Sequence, residues 1–434
     1  MIEHGKSIWV DTVKIKDFPR LNCDIDTDIL VIGGGLCGVL TSYYLTMKGY
    51  KVVLVDKKKI GMGITKNTTA VITAQHDTLY SDYIKKLGFR KAKLFLDVNL
   101  AAIDEYRKLS KIYDFDFEEI DTYMYTINNS TKLYDEYRAL KTLHFDAEFV
   151  DGINLHIDCK NAIKYPNQAQ MNALKLIDKL SNYLNIYENT DILKVDKNYA
   201  YTKKNKIKYN KVIITTHFPF IDHIGMYYAK MHQTKSYVIA IKDDTKIEGS
   251  FVGDTMGDIY LRRYKDYILI GGNDRITGSK GLSYSNLIKY ARHNYPKGKL
   301  MYKWANQDCM TLDVIPYIGP YSNISNNMYL ATGFNLWGMT SSMVASQVLI
   351  DVIENKETEY TKLFNPNRNI IKKQLFINMG RYIKHLLKYS PKRCTHLGSA
   401  LTWNEEDRTW ECPCHGSKYN EKGEIIHNPT TQNL

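Results

Sequence analysis

No run of about eighteen apolar residues occurs in the 434-residue chain, which excludes a membrane-spanning helix on length. Cysteine is scarce. The seven, at positions 23, 37, 159, 309, 394, 412 and 414, are too few for a disulfide framework at this size. Met1 to Asp11 carries Glu3, His4 and Lys6 and lacks a long apolar core, so no secretory signal is expected. The thiols are then expected to be reduced, in the cytoplasm, and clustered ones to be metal ligands. Internal repeats and low-complexity tracts are missing. So is any nucleic-acid recognition motif, which sets nucleic-acid binding aside. What is there, 24% charged and 44% hydrophobic, suits two or three packed domains and excludes a disordered or fibrous chain.

Acid is lacking in one place above all. Between Leu363 and Ser390 stand Arg368, Lys372, Lys373, Arg381, Lys384 and Lys388 with no Asp or Glu, half of the net charge of +12. Such a balance favours acidic partners, a membrane surface or an acidic redox protein. Ile370 to Tyr389 reads as a basic amphipathic helix after the break at Pro366. The favoured expectation is a linker whose apolar side (Ile371, Leu375, Met379, Ile383, Leu386) packs between domains; a membrane-surface or acidic-partner contact is the alternative.

Asp28 to Gly33 and Lys51 to Asp56 read as buried parallel strands, with a helix from Leu36 to Lys48 between them, a βαβ unit. The turn Gly33-Gly34-Gly35-Leu36-Cys37-Gly38 fits G-x-G-x-x-G. Gly33 allows the tight turn, Gly35 the approach of a pyrophosphate and Gly38 close helix–strand packing. The helix N-terminus offers N–H groups to phosphate, and Asp56 is placed for a ribose hydroxyl. Further along, Ser81 to Tyr113 and Met171 to Leu184 read as helical. The stretch from Phe218 to Trp304 is strand-rich, and a helix starts at Gly338.

Four segments carry a family likeness in the right order. They are Gly61-Met62-Gly63-Ile64-Thr65, Thr68 to His76, Asp313 to Gly319, and Ala331 to Thr340. With the glycine turn they resemble FAD-dependent oxidoreductases of the D-amino-acid-oxidase and glycine-oxidase type, over roughly residues 25 to 355. The resemblance implies a cofactor site built from Gly33, Gly35, Leu36, Cys37, Gly38, Asp56 and Lys57, with Gly63, Thr65 and Thr69 near the pyrophosphate and flavin. It implies backbone contacts from Ile192 to adenine, and Gly333, Gly338, Met339 and Thr340 over the flavin ring. A helix starting there can aim N–H groups at the flavin edge where negative charge develops.

The tail holds Cys394-Thr395-His396-Leu397-Gly398 and, fifteen residues after His396, Cys412-Pro413-Cys414-His415-Gly416-Ser417. Two thiolates can hold one iron and two imidazoles the other, as in a Rieske [2Fe–2S] centre, with Cys394, His396, Cys412 and His415 as ligands. Structural zinc competes, since Cys₂His₂ suits it. Zinc fingers pair like with like, whereas each block here gives one Cys and one His, which favours Rieske. The Rieske resemblance implies a further cysteine, pairing with Cys414, where Ser399 stands. The strands that usually precede the first block are missing, and the basic helix is expected to replace them by packing on the tail. The His ligands are expected at an exposed tip, as the electron exit.

These features define an α/β chain. The expected FAD-binding, Rossmann-like domain covers 25–85, 150–217 and 311–356, with an inserted α+β substrate domain at 86–149 and 218–310. A helical linker at 357–390 and a small Rieske-like β module at 391–434 follow. FAD and a [2Fe–2S] cluster together suggest an oxidoreductase acting on a small substrate, an amine or amino-acid-like C–N bond, with electrons leaving singly to an unidentified acceptor; the same parts equally allow the reverse flow, reducing a substrate. A redox-responsive protein that contacts a partner or membrane through the basic helix is the competing function. Amino-acid oxidases of this type commonly carry an arginine for the substrate carboxylate where Asp308 aligns, so Asp308 is expected either to face a cationic amine or to make a loop contact. His76 is weighed equally as a base over the flavin and as a structural histidine. Arg262, on an expected strand of the second domain, is read as binding an acidic group or, in the favoured reading, as making a surface salt bridge; Cys309 is not expected to bind FAD covalently, and Trp337 and Tyr317 are expected in packing.

Overall fold

The computed structural model describes residues 5–434 except Asn129, Ser130, Asn154, His156, Asp158, Asp222 and His223. Among the described residues the strands form sheets of eight, nine and four members.

The first sheet grows from the strand Ile25–Ile32, whose second half is buried on both faces, as strands covered by helices on both sides must be. It pairs in parallel with Val52–Val55 on one side and Lys206–Ile214 on the other; Asn185–Tyr187 and Met328–Thr332 continue the parallel order outward. Tyr317–Pro320 closes one edge antiparallel. The helices Leu36–Met47 and Gly338–Ile353 pack together on this sheet. Gly33, at φ +112, makes the turn into the first of them, and a Cβ on Gly38 would collide with the Gly33 carbonyl oxygen.

The second sheet is mostly antiparallel. Its spine, Met231–Lys242, is buried almost throughout between Tyr267–Ile276 and Lys299–Thr311. Val71–Ile72 and Asn161–Gln170, expected in the nucleotide domain, hydrogen-bond into this second sheet instead, next to Glu118–Thr126. The nucleotide sheet resumes only at Asn185, after the helix Ala173–Ser181. The helix expected from Ser81 to Tyr113 is two, Leu79–Leu87 and Phe89–Ser110, divided at Gly88 (φ +84).

The third sheet (Thr402–Asn404, Thr409–Glu411, Lys418–Tyr419, Ile425–His427) is the C-terminal module. The helix Lys373–Leu387 does replace the missing strands. Tyr382 Oη donates to the Leu397 carbonyl (3.0 Å), and Ala400 N–H donates to the His385 carbonyl (2.9 Å). Its apolar side, however, does not pack between domains: Ile371, Met379, Ile383 and Leu386 are exposed. Among the less exposed residues are Gln374, Asn378, Tyr382 and His385: Asn378 and Tyr382 donate to the Ala229 and Leu397 carbonyls, and Gln374 donates to Asn378.

The module is fastened to the second sheet by a buried ionic group. Lys235, on the spine strand, pairs with Asp407 and with Glu411 (2.5 Å), and Lys418 adds bonds to Asp407 (3.2 Å) and Glu411 (3.6 Å). Burial favours the neutral acids, but the charges of Lys418 and Lys235 outweigh it and hold both carboxyls below their ordinary range.

Candidate active site and cluster site

A cavity of about 760 Å³ runs along the C-terminal ends of the parallel strands, within the size range of cofactor sites. Gly33, Gly35, Leu36, Cys37, Asp56, Lys57, Gly63, Thr65 and Ile192 line it, as do Gly333, Gly338 and Met339. The glycine walls leave room: nothing lies within 4 Å of where a Gly63 Cβ would be. Thr65 Oγ1 accepts from the Leu36 amide (3.1 Å), fixing the loop against the helix start. Asp56 accepts from the Gly34 and Lys58 amides, both at 2.7 Å, and burial raises its pKa. The cradle therefore fits a dinucleotide laid from Asp56 to the Gly338 helix start.

Three expected residues stand elsewhere. Thr69 borders a second cavity. Thr340 is buried and latches the Val71–Ile72 strand to the helix, accepting from the Thr73 amide and donating to its carbonyl, both at 2.9 Å. Gly38 acts through packing. His76 is also off both cavities: it is buried, stacked on Trp337 with ring centroids 5.1 Å apart, and bonded through Nε2 to the Thr73 carbonyl (3.0 Å). Burial pushes its pKa down to about 3, which keeps the ring neutral where it stacks on Trp337.

The second cavity, about 290 Å³, shares wall with the first, at Asn306, Asp308 and Met339 among others. Asp308 borders both, and burial raises its pKa to about 7. Its Oδ2 accepts from Asn306 Nδ2 (2.7 Å). Asp77, Asp254, Asp258 and Asp274 add carboxylates to the wall. Burial, with Asp77 and Asp308 nearby, raises Asp274 to about 7 as well. Opposed to these acids is Arg262. It is 2% exposed rather than at the surface, its Nη1 donates to Gln170, and its Nε and Nη2 have no hydrogen-bond partner. Sequence reasoning missed Asp274 and misjudged Arg262, because both face the cavity only through the pairing of Tyr260–Tyr264 with Tyr267–Ile276.

The two cysteine–histidine loops are conformational copies. In each, the amide of the glycine four residues on bonds back to the Cys carbonyl (2.9 and 3.0 Å), and the Cys amide bonds to the carbonyl of the following serine (both 2.9 Å). Gly398 (φ +74) and Gly416 (φ +79) make both turns possible. The His396 and His415 rings lie 5.0 Å apart at 88°. Ser399 Oγ is 3.1 Å from Cys412 Sγ, and Tyr419 Oη is 3.5 Å from Cys394 Sγ. His415 is buried with its Nδ1 unpartnered, and burial pushes its pKa down to about 3, keeping the imidazole in the neutral form that ligates metal. Each loop offers one Cys and one His, the alternation that a [2Fe–2S] centre with unlike ligand pairs on its two irons uses. A cluster with two ligands on each iron fits that set.

The expected exposed tip is half right. His396 is partly exposed, but His415 faces inward against Phe218, Tyr228 and Tyr382. Its loop sits on the second sheet: Gln233 Nε2 donates to the His415 carbonyl (2.7 Å) and Gln307 Nε2 to that of Gly416 (2.6 Å). Side chains alternate along a strand, so Gln307 meets the cluster loop while Asp308 meets the cavities. One strand divides the two sites. The tail continues over the first cavity, where Ile425 to Asn428 and Thr430 to Gln432 form part of its wall. Asn428 Nδ2 donates to the Thr216 carbonyl (2.8 Å).

Residues 28–352 match the family model of FAD dependent oxidoreductases, and residues 354–434 that of the Rieske [2Fe-2S] domain. A Bacillus subtilis (strain 168) protein, described as the Rieske 2Fe-2S iron-sulfur protein YhfW, is 32% identical over 100% of this chain and 97% of its own. The cytochrome b6-f iron-sulfur subunit of Microcystis aeruginosa is 44% identical over 41 residues, 9% of this chain and 23% of that protein. In fold, glycine oxidase from Geobacillus kaustophilus aligns with a TM-score of 0.67 at 16% identity, over 80% of this chain and 99% of its own. L-proline dehydrogenase from P. horikoshii also gives 0.67, at 17% identity, over 81% and 98%. With a glycine-walled dinucleotide cradle in front and twinned cysteine–histidine loops behind, the chain belongs to the FAD dependent oxidoreductase family and carries a C-terminal Rieske [2Fe-2S] domain.

Proposed function

We propose that this oxidoreductase oxidises the C–N bond of a small cationic amine that also bears a carboxylate, and passes the electrons through its Rieske domain to a separate acceptor. The observation that carries this reading is Asp308, set at the junction of the two cavities on the strand whose preceding residue, Gln307, holds the cluster loop. The flavin would supply two-electron acceptance and the [2Fe–2S] cluster single-electron release. The protein's own part is positioning and proton handling. Arg262, with two unpartnered guanidinium nitrogens in a buried wall, binds the carboxylate. The Asp308 carboxylate faces the ammonium and takes its proton, which frees the nitrogen lone pair that hydride loss requires. A pKa near 7 suits that exchange at neutral pH. Asp274 adds a second charge that favours a cation over a neutral substrate. Amine-oxidising neighbours such as glycine oxidase and L-proline dehydrogenase support a C–N bond as the target.

Anaerobic titration with amines and amino acids tests this. A substrate should bleach the flavin and then reduce the cluster, seen by EPR. Asp308→Asn should raise KM about 10–100-fold, the loss of one charge-assisted hydrogen bond, and should remove the rise in kcat/KM near pH 7. Unchanged KM and an unchanged pH profile would take Asp308 out of the site.

A further inference from the structure

We propose that the outward face of the Lys373–Leu387 helix is a membrane-docking surface that lies in the plane of an anionic lipid bilayer. In a helix that packs on a core, the apolar stripe turns inward. Here it is reversed. Phe376 (64% exposed), Met379 (48%), Ile383 (53%), Leu386 (41%) and Leu387 (80%) recur at helical spacing on the side away from the body. The inner side is polar: Asn378 Nδ2 donates to the Ala229 carbonyl (3.2 Å), and Tyr382 and His385 hold the first cluster loop. The stripe extends past the helix to Ile371 and Tyr389, both exposed.

Charge selects the occupant. Lys373, Lys384 and Lys388 edge the stripe, and no acid occurs from 363 to 390. Lysine is depleted from the cores of protein–protein interfaces but enriched on the polar side of helices that lie in lipid headgroups. A second copy of the chain would bring like charges face to face. An anionic headgroup layer meets both demands, apolar insertion and cation pairing. Among the described residues no helix is long and apolar enough to cross a membrane, so the attachment is peripheral. Because the helix backs the loop that carries the partly exposed His396, docking sets that loop at the bilayer boundary. This inference does not depend on which substrate is oxidised.

The test is flotation of the holoprotein with vesicles of phosphatidylcholine alone and with phosphatidylglycerol added. Binding is expected only to the anionic vesicles and should weaken at high salt. Ile383→Ser with Leu387→Ser should reduce it about tenfold or more. Lys373→Gln and Lys384→Gln should each cost about fivefold. All variants should keep the flavin and cluster spectra of the parent. Absence of binding, equal binding to both vesicle types without salt dependence, or serine variants that bind like the parent would each overturn the proposal. So would a lipid-free dimer, seen by sedimentation, that the serine variants abolish.

Discussion

Lys235 offers the sharpest test of how the two redox modules are joined. It stands 1% exposed between Asp407 and Glu411, which are 7% and 1% exposed. Replacing it with methionine keeps the volume and removes the charge. Lys418 then remains, at 3.2 and 3.6 Å, as the cation for two buried carboxylates. Stripping one partner from a buried ionic group costs about 3–5 kcal/mol, because the other is left uncompensated. Adding Glu411→Gln, which leaves Asp407 paired with Lys418, should recover about half of that loss. The dependence on pH has a definite sign. In the parent, both carboxyls are held below their ordinary range, so the stability they confer is complete above that range and is lost only as pH falls through the lower, folded values. In Lys235→Met the carboxylates lose most of that support and take up protons at milder acidity. The gap between parent and variant should therefore be widest near pH 7 and shrink toward pH 4. Urea melts followed separately at flavin and cluster absorption would measure it, with the cluster signal leaving first in the variant. A loss below about 1 kcal/mol, or a gap that does not change with pH, would refute the view that this group fastens the module.

Further outcomes can be checked alongside. Gly63→Leu adds bulk to the cradle wall at a point where a Cβ meets no neighbour, so flavin affinity should fall by about 5–150-fold, equivalent to 1–3 kcal/mol of overpacking, while far-ultraviolet circular dichroism stays the same. Tyr419→Phe removes a hydroxyl 3.5 Å from Cys394 Sγ, and the cluster midpoint potential should drop by about 40 mV if that bond favours the reduced state by about 1 kcal/mol. His76→Asn should leave turnover roughly unchanged. His76 and His217, buried with pKa values pushed down to about 3 and about 4, gain protons on unfolding. Global stability should fall by about 1.4 kcal/mol per pH unit for each of them as pH drops below about 6.5.

What the sequence made legible was whatever is local. Gly33 to Gly38, Asp56 and the paired Cys–His blocks act within a few residues of one another, so spacing alone conveys their geometry. Asp308 came into view through its place relative to Asp313. The rest depended on which strands meet. Lys235 stands opposite Gln307 in the ladder, next to Thr234 opposite Asp308, and no local signal indicates that register. Arg262 reads as a surface cation on a polar strand until Gln170 and Trp9 enclose it. His76 follows a threonine-rich run that suggested a flavin contact, yet stacking on Trp337 turns it away. The basic helix carried the right amphipathic pattern. Only the packing of Asn378 and Tyr382 against the body reveals that its greasy side points out.

Residues 425–432 roof the dinucleotide cavity, yet they are translated after every other part of its lining. A nascent chain thus has an unroofed nucleotide channel until the iron module has been made and closed over it. Capture of the organic cofactor and maturation of the inorganic one become coupled events. Cells starved of iron should accumulate protein that is poor in both.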